Sequence, residues 1–242
     1  METKEALLFA FLITALVAGN YFFFTESDAE REIVKISRVL DGDTVELEDG
    51  RKVRFANINT PEKKFAYSEL AKNYLVGFVG KDIEMENLGG DKYGRTLGKL
   101  FLKSEYLNLE IVRQGMAHAY LVFEDEVRDF SLAEKYAIDE GLGIWHTSED
   151  ADCISATINK YEEYVLIYDS CDLNEKGWTI KDESTKSYKI EEDFGEKLAI
   201  YSGEGVDSKE TRYWKRKNVW NDDKDRIFIR DADGLLVFYD SY

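Results

Sequence analysis

From residue 33 onward, apolar and polar residues alternate in short runs. Ile33, Val39, Val45, Leu47, Val53 and Phe55 fall on the period-two spacing of strands, with a turn at Glu48-Asp49-Gly50, and predict a three-stranded meander over 33–58. Leu70, Tyr74, Leu75 and Phe78 then recur at helical spacing and predict a helix over 68–79. Two further strands are expected at 82–86 and 96–102, around a loop rich in Gly, Asp and Lys. Helices follow at 107–113 and 127–140, stopped by Gly115 and Gly141. Five strands interspersed with helices predict a small closed Greek-key barrel.

After residue 160 the texture changes. Short apolar runs at 164–168, 178–181, 197–201, 226–230 and 235–239 are separated by Asp, Asn, Gly and Ser turns, the pattern of a β-sandwich. Residues 148–157 are small and polar and read as a linker. At the other end, residues 6–24 form a run of 19 positions without a charge, long enough to span a bilayer. An uncleaved anchor fits this run better than a signal peptide, whose apolar core is shorter and ends in a small-residue cleavage site. Lys4 precedes the run and Glu26, Asp28 and Glu30 follow it, which orients the folded part outside the cytoplasm. The expected organisation is an anchor and linker over 1–30, a five-stranded OB-type barrel over 31–147, the linker, and a sandwich over 158–242. The fold class is mainly β with α.

Charge changes this picture only in part. The net charge of −17 is unusual for a protein that handles nucleic acid. Residues 31–147 hold 17 basic and 21 acidic residues, and 148–242 hold 14 and 23, so the acidity concentrates in the second half. Tight non-specific binding of long duplexes is disfavoured, but local cations can still hold a phosphate. Cys153 and Cys171 allow one disulfide or two unpaired thiols. Beside them the chain has only His118 and His146, and no zinc site is read from these four residues. The two histidines are read as structural or exposed. The Gly89–Gly94 stretch lacks the lysine of a phosphate-binding loop, since Arg95 stands in its place.

The candidate chemistry lies in 39–62. Asp41-Gly42-Asp43-Thr44, Arg54 and Asn59-Thr60-Pro61-Glu62 sit at the ends of the first strands, and Pro61 is the only proline in the chain. Asp91-Lys92-Tyr93-Gly94-Arg95 supplies a second arginine. Carboxylates suit a hard cation such as calcium. Two arginines suit a phosphate that gains charge in a transition state. Taken alone, Asp41-Gly42-Asp43 is a hairpin turn, and Arg54 with Glu62 a surface ion pair.

These segments, with Val112-Arg113-Gln114-Gly115-Met116-Ala117 and Gly143-Ile144-Trp145 in the same order, resemble the staphylococcal nuclease family over 33–145. The resemblance implies an OB barrel with helices and calcium-dependent cleavage of DNA and RNA phosphodiesters. It implies that Asp43, Asn59 and, through its carbonyl, Thr60 hold calcium. It also implies that Arg54 and Arg95 hold the scissile phosphate, that Glu62 positions or deprotonates water, and that Tyr120 borders the nucleotide; Tyr93 is a second aromatic on the barrel surface over which a splayed base can lie. Single strands or frayed ends are the expected substrates. Asn59 departs from the family, which usually has a second metal-binding Asp there, and the loop after Glu62 is short. Loss of a ligand charge weakens calcium binding.

The segment 158–242 resembles a lamin-tail domain, an Ig-like sandwich, through Glu163-Tyr164-Val165-Leu166-Ile167, Gly177-Trp178, Tyr201-Ser202-Gly203-Glu204-Gly205 and Val219-Trp220-Asn221-Asp222. That resemblance implies an envelope or other partner and no catalytic residues. The expected protein is a membrane-anchored, extracytoplasmic calcium-dependent nuclease. The alternatives are a nuclease-like module that binds nucleic acid with weak or no catalysis, and a surface adhesion protein.

Overall fold

The structure is a computed structural model that describes residues 30–184 and 186–242. The first half begins with β1 (Arg31–Asp41), β2 (Thr44–Leu47) and β3 (Lys52–Phe55), an antiparallel meander in which Val39 faces Val45 and Val45 faces Val53. After β4 (Ile58–Asn59) comes α1 (Ser68–Val76), then β5 (Asp82–Gly90) and β6 (Thr96–Leu102). The order β3-β2-β1-β5-β6 is closed by a parallel pairing of β3 with β6, so the five strands form a barrel. Closure leaves no free edge along these strands. Alternation along β1 buries Val34 and Ile36, which join Val45, Val53, Phe55, Ile83, Met85 and Leu100 in the barrel core.

Helix α2 (Leu107–Arg113) follows the short β7 (Glu105–Tyr106) and caps the barrel with Leu107, Ile111 and Val112. Asn108, on the same buried face, is fully satisfied: its Oδ1 accepts from the Leu100 amide, and its Nδ2 donates to the carbonyls of Ala56 and Gly98, all at 3.0 Å. A buried amide with every partner in place fixes the helix on the strands in one register. Beyond α2 lie β8 (His118–Ala119), paired with β4, and α3 (Val127–Asp139). Gly115 and Gly143 both take positive φ, and a Cβ on Gly115 would lie 2.2 Å from the Leu142 carbonyl oxygen. Only glycine permits this approach, which lets the Ile144 amide donate to the Gly115 carbonyl at 2.8 Å.

Among the described residues the second half has eight strands in two sheets. One has the order β14-β13-β10-β9, built from β9 (Ile154–Asn159), β10 (Tyr164–Asp169), β13 (Lys197–Tyr201) and β14 (Thr211–Tyr213). The other, of order β12-β11-β15-β16, holds β11 (Thr179–Lys181), β12 (Ser187–Lys189), β15 (Arg226–Arg230) and β16 (Leu236–Ser241). Both line one core that includes Val165, Ile167, Trp178, Ile180, Trp214, Trp220 and Ile229. Cys153 and Cys171 form a disulfide beside the start of β9 and the end of β10. Residues 148–157, expected as a linker, hold a 3-10 turn at Ala151–Cys153 and the first residues of β9.

A third cluster joins the halves. Phe228 and Leu236 pack with Ala137, Ile144 and Trp145. The chain at 146–148 pairs with Leu236, which donates to the His146 carbonyl and accepts from the Ser148 amide, each at 2.8 Å.

The expected localisation is corrected: among the described residues no helix is long and apolar enough to cross a membrane. The anchor expected over 6–24 lies outside the described residues.

Glu175 is wholly buried in the second half, and its Oε1 has no hydrogen-bond partner among the described residues. Burial, followed by the neighbouring Asp193 side chain, pushes its carboxyl from 4.5 up to about 8. A raised acid stabilises the fold through its protonated form. That contribution is full below 4.5 and is lost as pH rises through about 8. Calorimetry from pH 6 to 9 should therefore show a melting temperature that falls more steeply in the wild type than in Glu175→Gln; parallel curves would contradict this origin.

Candidate active site

The β1–β2 turn places Asp43 under the end of the barrel. Its carbonyl accepts from the Phe55 amide at 2.8 Å, and its own amide donates to Asp41 Oδ1 at 3.2 Å. Arg54, on β3 opposite Thr44, reaches Asp43 Oδ2 at 3.1 Å and also donates to the Phe55 carbonyl. Thr44 Oγ1 donates to Asp43 Oδ1 at 2.8 Å and accepts from Arg95 Nη1 at 3.4 Å. Arg95 is held by Asp91, whose Oδ2 accepts from Nε at 2.8 Å and whose Oδ1 accepts from the Arg95 amide. The two guanidinium groups are thus linked through Thr44 and Asp43, and both border one open cavity of about 950 Å³.

Asn59 and Thr60 enter this cavity from the end of β4. Pro61 turns the chain, and Glu62 stands exposed at the rim; the Phe65 amide donates to its backbone carbonyl at 2.8 Å. Tyr93, 72% exposed, also lines the cavity, with its ring 5.5 Å from the Arg95 guanidinium. Asp43, Arg54, Asn59, Thr60, Glu62, Tyr93 and Arg95 therefore share one cavity. Tyr120 is not among the residues lining it; its ring lies 6.2 Å from that of His118. Asp41, Lys52, Lys63 and Lys64 also line the cavity, and sequence reasoning assigned them no role. The available signal was the Lys63-Lys64 pair directly after Glu62.

Five cations against three carboxylates make this cavity locally basic in an acidic chain. Arg54 and Asp43 are only 15% and 12% exposed, so their attraction is screened far less than a surface pair. Burial pushes the Asp43 carboxyl up to about 6, more than the Arg54 charge pulls it down. One guanidinium leaves this carboxylate short of positive charge.

The family model described as staphylococcal nuclease homologue matches residues 52–147. An uncharacterized endonuclease of Haemophilus influenzae is 34% identical over 121 residues, covering 48% of this chain and 67% of its own length. Another, from Escherichia coli, is 31% identical over 134 residues, covering 53% and 85%. The chain belongs to the staphylococcal nuclease family. The thermonuclease of Staphylococcus intermedius is 28% identical to it over 162 residues, or 59% of this chain and 96% of that one. The nuclease-family match ends at 147, before the two four-stranded sheets begin.

Staphylococcal nuclease homologues are generally calcium-dependent, and the donors here fit such an ion in kind. Asp41, Asp43 and Glu62, the Asn59 amide and Thr60 offer only oxygen, the ligand of hard cations. Among the described residues no group of three or more His, Cys, Asp or Glu side chains could hold a metal ion by itself. A cation in this cavity would therefore draw on the Asn59 and Thr60 oxygens as well.

Gly42 sits where β4 passes the β1–β2 turn. A Cβ there would lie 2.8 Å from Thr60 Oγ1 and 3.0 Å from Thr60 Cβ. Gly42→Ala should displace Thr60 and lower the rate of phosphodiester cleavage by about 10²-fold, the usual effect of a misplacement near 1 Å. Its circular dichroism should stay that of the wild type. A wild-type rate would show that the position of Thr60 is immaterial.

Proposed function

We propose that this protein is a calcium-dependent nuclease that hydrolyses phosphodiester bonds of DNA, RNA or both at the cavity between Asp43 and Arg95. The observation that carries the reading is the linkage of Arg54 and Arg95 through Thr44 and Asp43, which fixes two cations on one open site with a free carboxylate at its rim. Asp43, Asn59 and the Thr60 carbonyl would hold calcium. When bound, calcium supplies positive charge against the phosphate. Glu62, which has no side-chain hydrogen-bond partner among the described residues, orients water and accepts its proton. Arg54 and Arg95 stabilise the charge that develops on the phosphoryl oxygens. Lys52, Lys63 and Lys64 attract flanking phosphates. The exposed Tyr93 ring offers a face on which a base of a single strand or frayed end can stack.

The second half, with its two sheets around a core of buried tryptophans, is proposed as an Ig-like sandwich of the lamin-tail type. A second reading of the first half is a nuclease-like module that binds nucleic acid with weak catalysis. The observation that favours it is Asn59, an uncharged residue where the family usually carries a metal-binding Asp.

Cleavage of single-stranded DNA by the full chain separates the two. Chelation should abolish cleavage and added calcium restore it. Arg54→Ala should lower turnover by about 10²–10³-fold, as for removal of one transition-state donor, and Glu62→Ala by about 10²–10⁴-fold, as for loss of a general base. Cleavage by both variants at the wild-type rate would refute the assignment. DNA binding without calcium-stimulated cleavage would establish the binding module.

A further inference from the structure

Asn59 carries one more set of contacts, and they come from the second half of the chain. Its Nδ2 lies 3.3 Å from the Glu183 carbonyl oxygen and 3.4 Å from that of Ser184. His118, its cross-strand partner in the β4–β8 ladder, places Nε2 2.9 Å from the same Glu183 carbonyl. Because that partner can only accept, His118 Nε2 bears the hydrogen. Burial, aided by the Lys181 charge, keeps this imidazole neutral.

The segment that offers these carbonyls is organised from behind. Asp182, 1% exposed, accepts from the amides of Ser184 and Lys186 and from the Ser184 hydroxyl. Asp225 Oδ1 accepts from the Glu183 amide at 3.2 Å. Lys181 donates to the Asp182 and Ser184 carbonyls, and the Glu62 carboxylate is among the groups that favour its charge. The loop therefore presents a preformed pair of acceptors to Asn59 at the end of β4.

We propose that the loop from Lys181 to Ser184 is a positioning element of the nuclease site, holding the Asn59 carboxamide by its nitrogen so that its oxygen is left for the cation. The proposal rests on the calcium-dependent nuclease reading. It also accounts for the residue type. A carboxylate at this position would face two carbonyl oxygens with no hydrogen to offer, and an unsatisfied charged acceptor in a site only 5% exposed is strongly disfavoured. An amide satisfies the carbonyls with one end and keeps an oxygen donor at the other. The loss of the family's aspartate is then the consequence of docking a second domain against β4, rather than a weakening of the site alone. Partners that orient a metal ligand typically change affinity by about 10–100-fold when removed.

The test uses the full chain and Asp182→Ala, which unties the loop without touching the cavity. Calcium affinity is read by calorimetry without substrate, the calcium midpoint of single-stranded DNA cleavage is read separately, and exchange of the 181–184 and 58–60 amides is followed by mass spectrometry. Asp182→Ala should bind calcium about tenfold more weakly, with faster exchange at both segments. Asn59→Asp, a second variant should the first fail to fold, should gain no calcium affinity and should also expose 181–184. Unchanged calcium affinity in Asp182→Ala, or tighter binding in Asn59→Asp with the loop still protected, would overturn the proposal. A wild type that binds no calcium would overturn it too. A wild type that binds calcium but cleaves nothing would remove the nuclease reading alone, because the calorimetric comparison still decides the positioning role.

Discussion

A ladder of two residues on each side, Ile58–Asn59 against His118–Ala119, is the joint on which the molecule depends. On the barrel side it buries Ile58 and delivers Asn59 and Thr60 to the cavity. On the other side it meets the second half of the chain. The Ala119 amide donates to Glu134 Oε1 at 2.7 Å, and the same oxygen accepts from Arg226 Nη1 at 2.8 Å. Glu134, His118 and Asn59 are all buried, so each polar contact at this joint lies where an unmade bond would cost about 1–3 kcal/mol. Two residue pairs make too short a ladder to persist alone; packing of Phe228 against Trp145 and His118 and the ion pair through Arg226 hold it in place.

The electrostatics divide in the same way. The chain as a whole repels polyanions, yet the cavity gathers Lys52, Arg54, Lys63, Lys64 and Arg95 within one basin. Attraction for a phosphate is therefore short-ranged, limited by a screening length of about 8 Å at physiological salt. Such a field acts on phosphates that enter the basin and not along the rest of the surface. Asp43 tempers it from beneath: its buried carboxylate holds Arg54 in position and remains a strong acceptor of further positive charge.

Much of the barrel was legible because its strands have one buried face, which writes a period of two into the chain. The β1–β3 meander follows that pattern closely, and the helices at 107–113 and 127–139 stand where they were expected, ending just before Gly115 and Gly141. The separated motifs at Gly115 and Gly143 were legible as family marks, and their physical reason is the close backbone approach that only glycine allows. Other features left no period to read. β4 and β8 are two residues long, β9 begins inside a small, polar stretch, and Asn108 looks like any polar residue of a helix until its three partners are seen. Among the site residues, those on the first strands and the Asp91–Arg95 loop meet in the cavity, whereas Tyr120 turns toward His118. The contact between Asn59 and Glu183 joins residues 124 positions apart, a separation no local pattern encodes.

The most direct test of this account is amide exchange across the full chain of Phe228→Ala, in which the seam loses its central aromatic while every cavity residue is kept. If the second half holds the joint, protection should fall at 58–60 and 118–120 and stay unchanged along β1 to β3. Protection retained at 58–60 while the seam opens would show that the barrel alone sets the site, and would contradict the account.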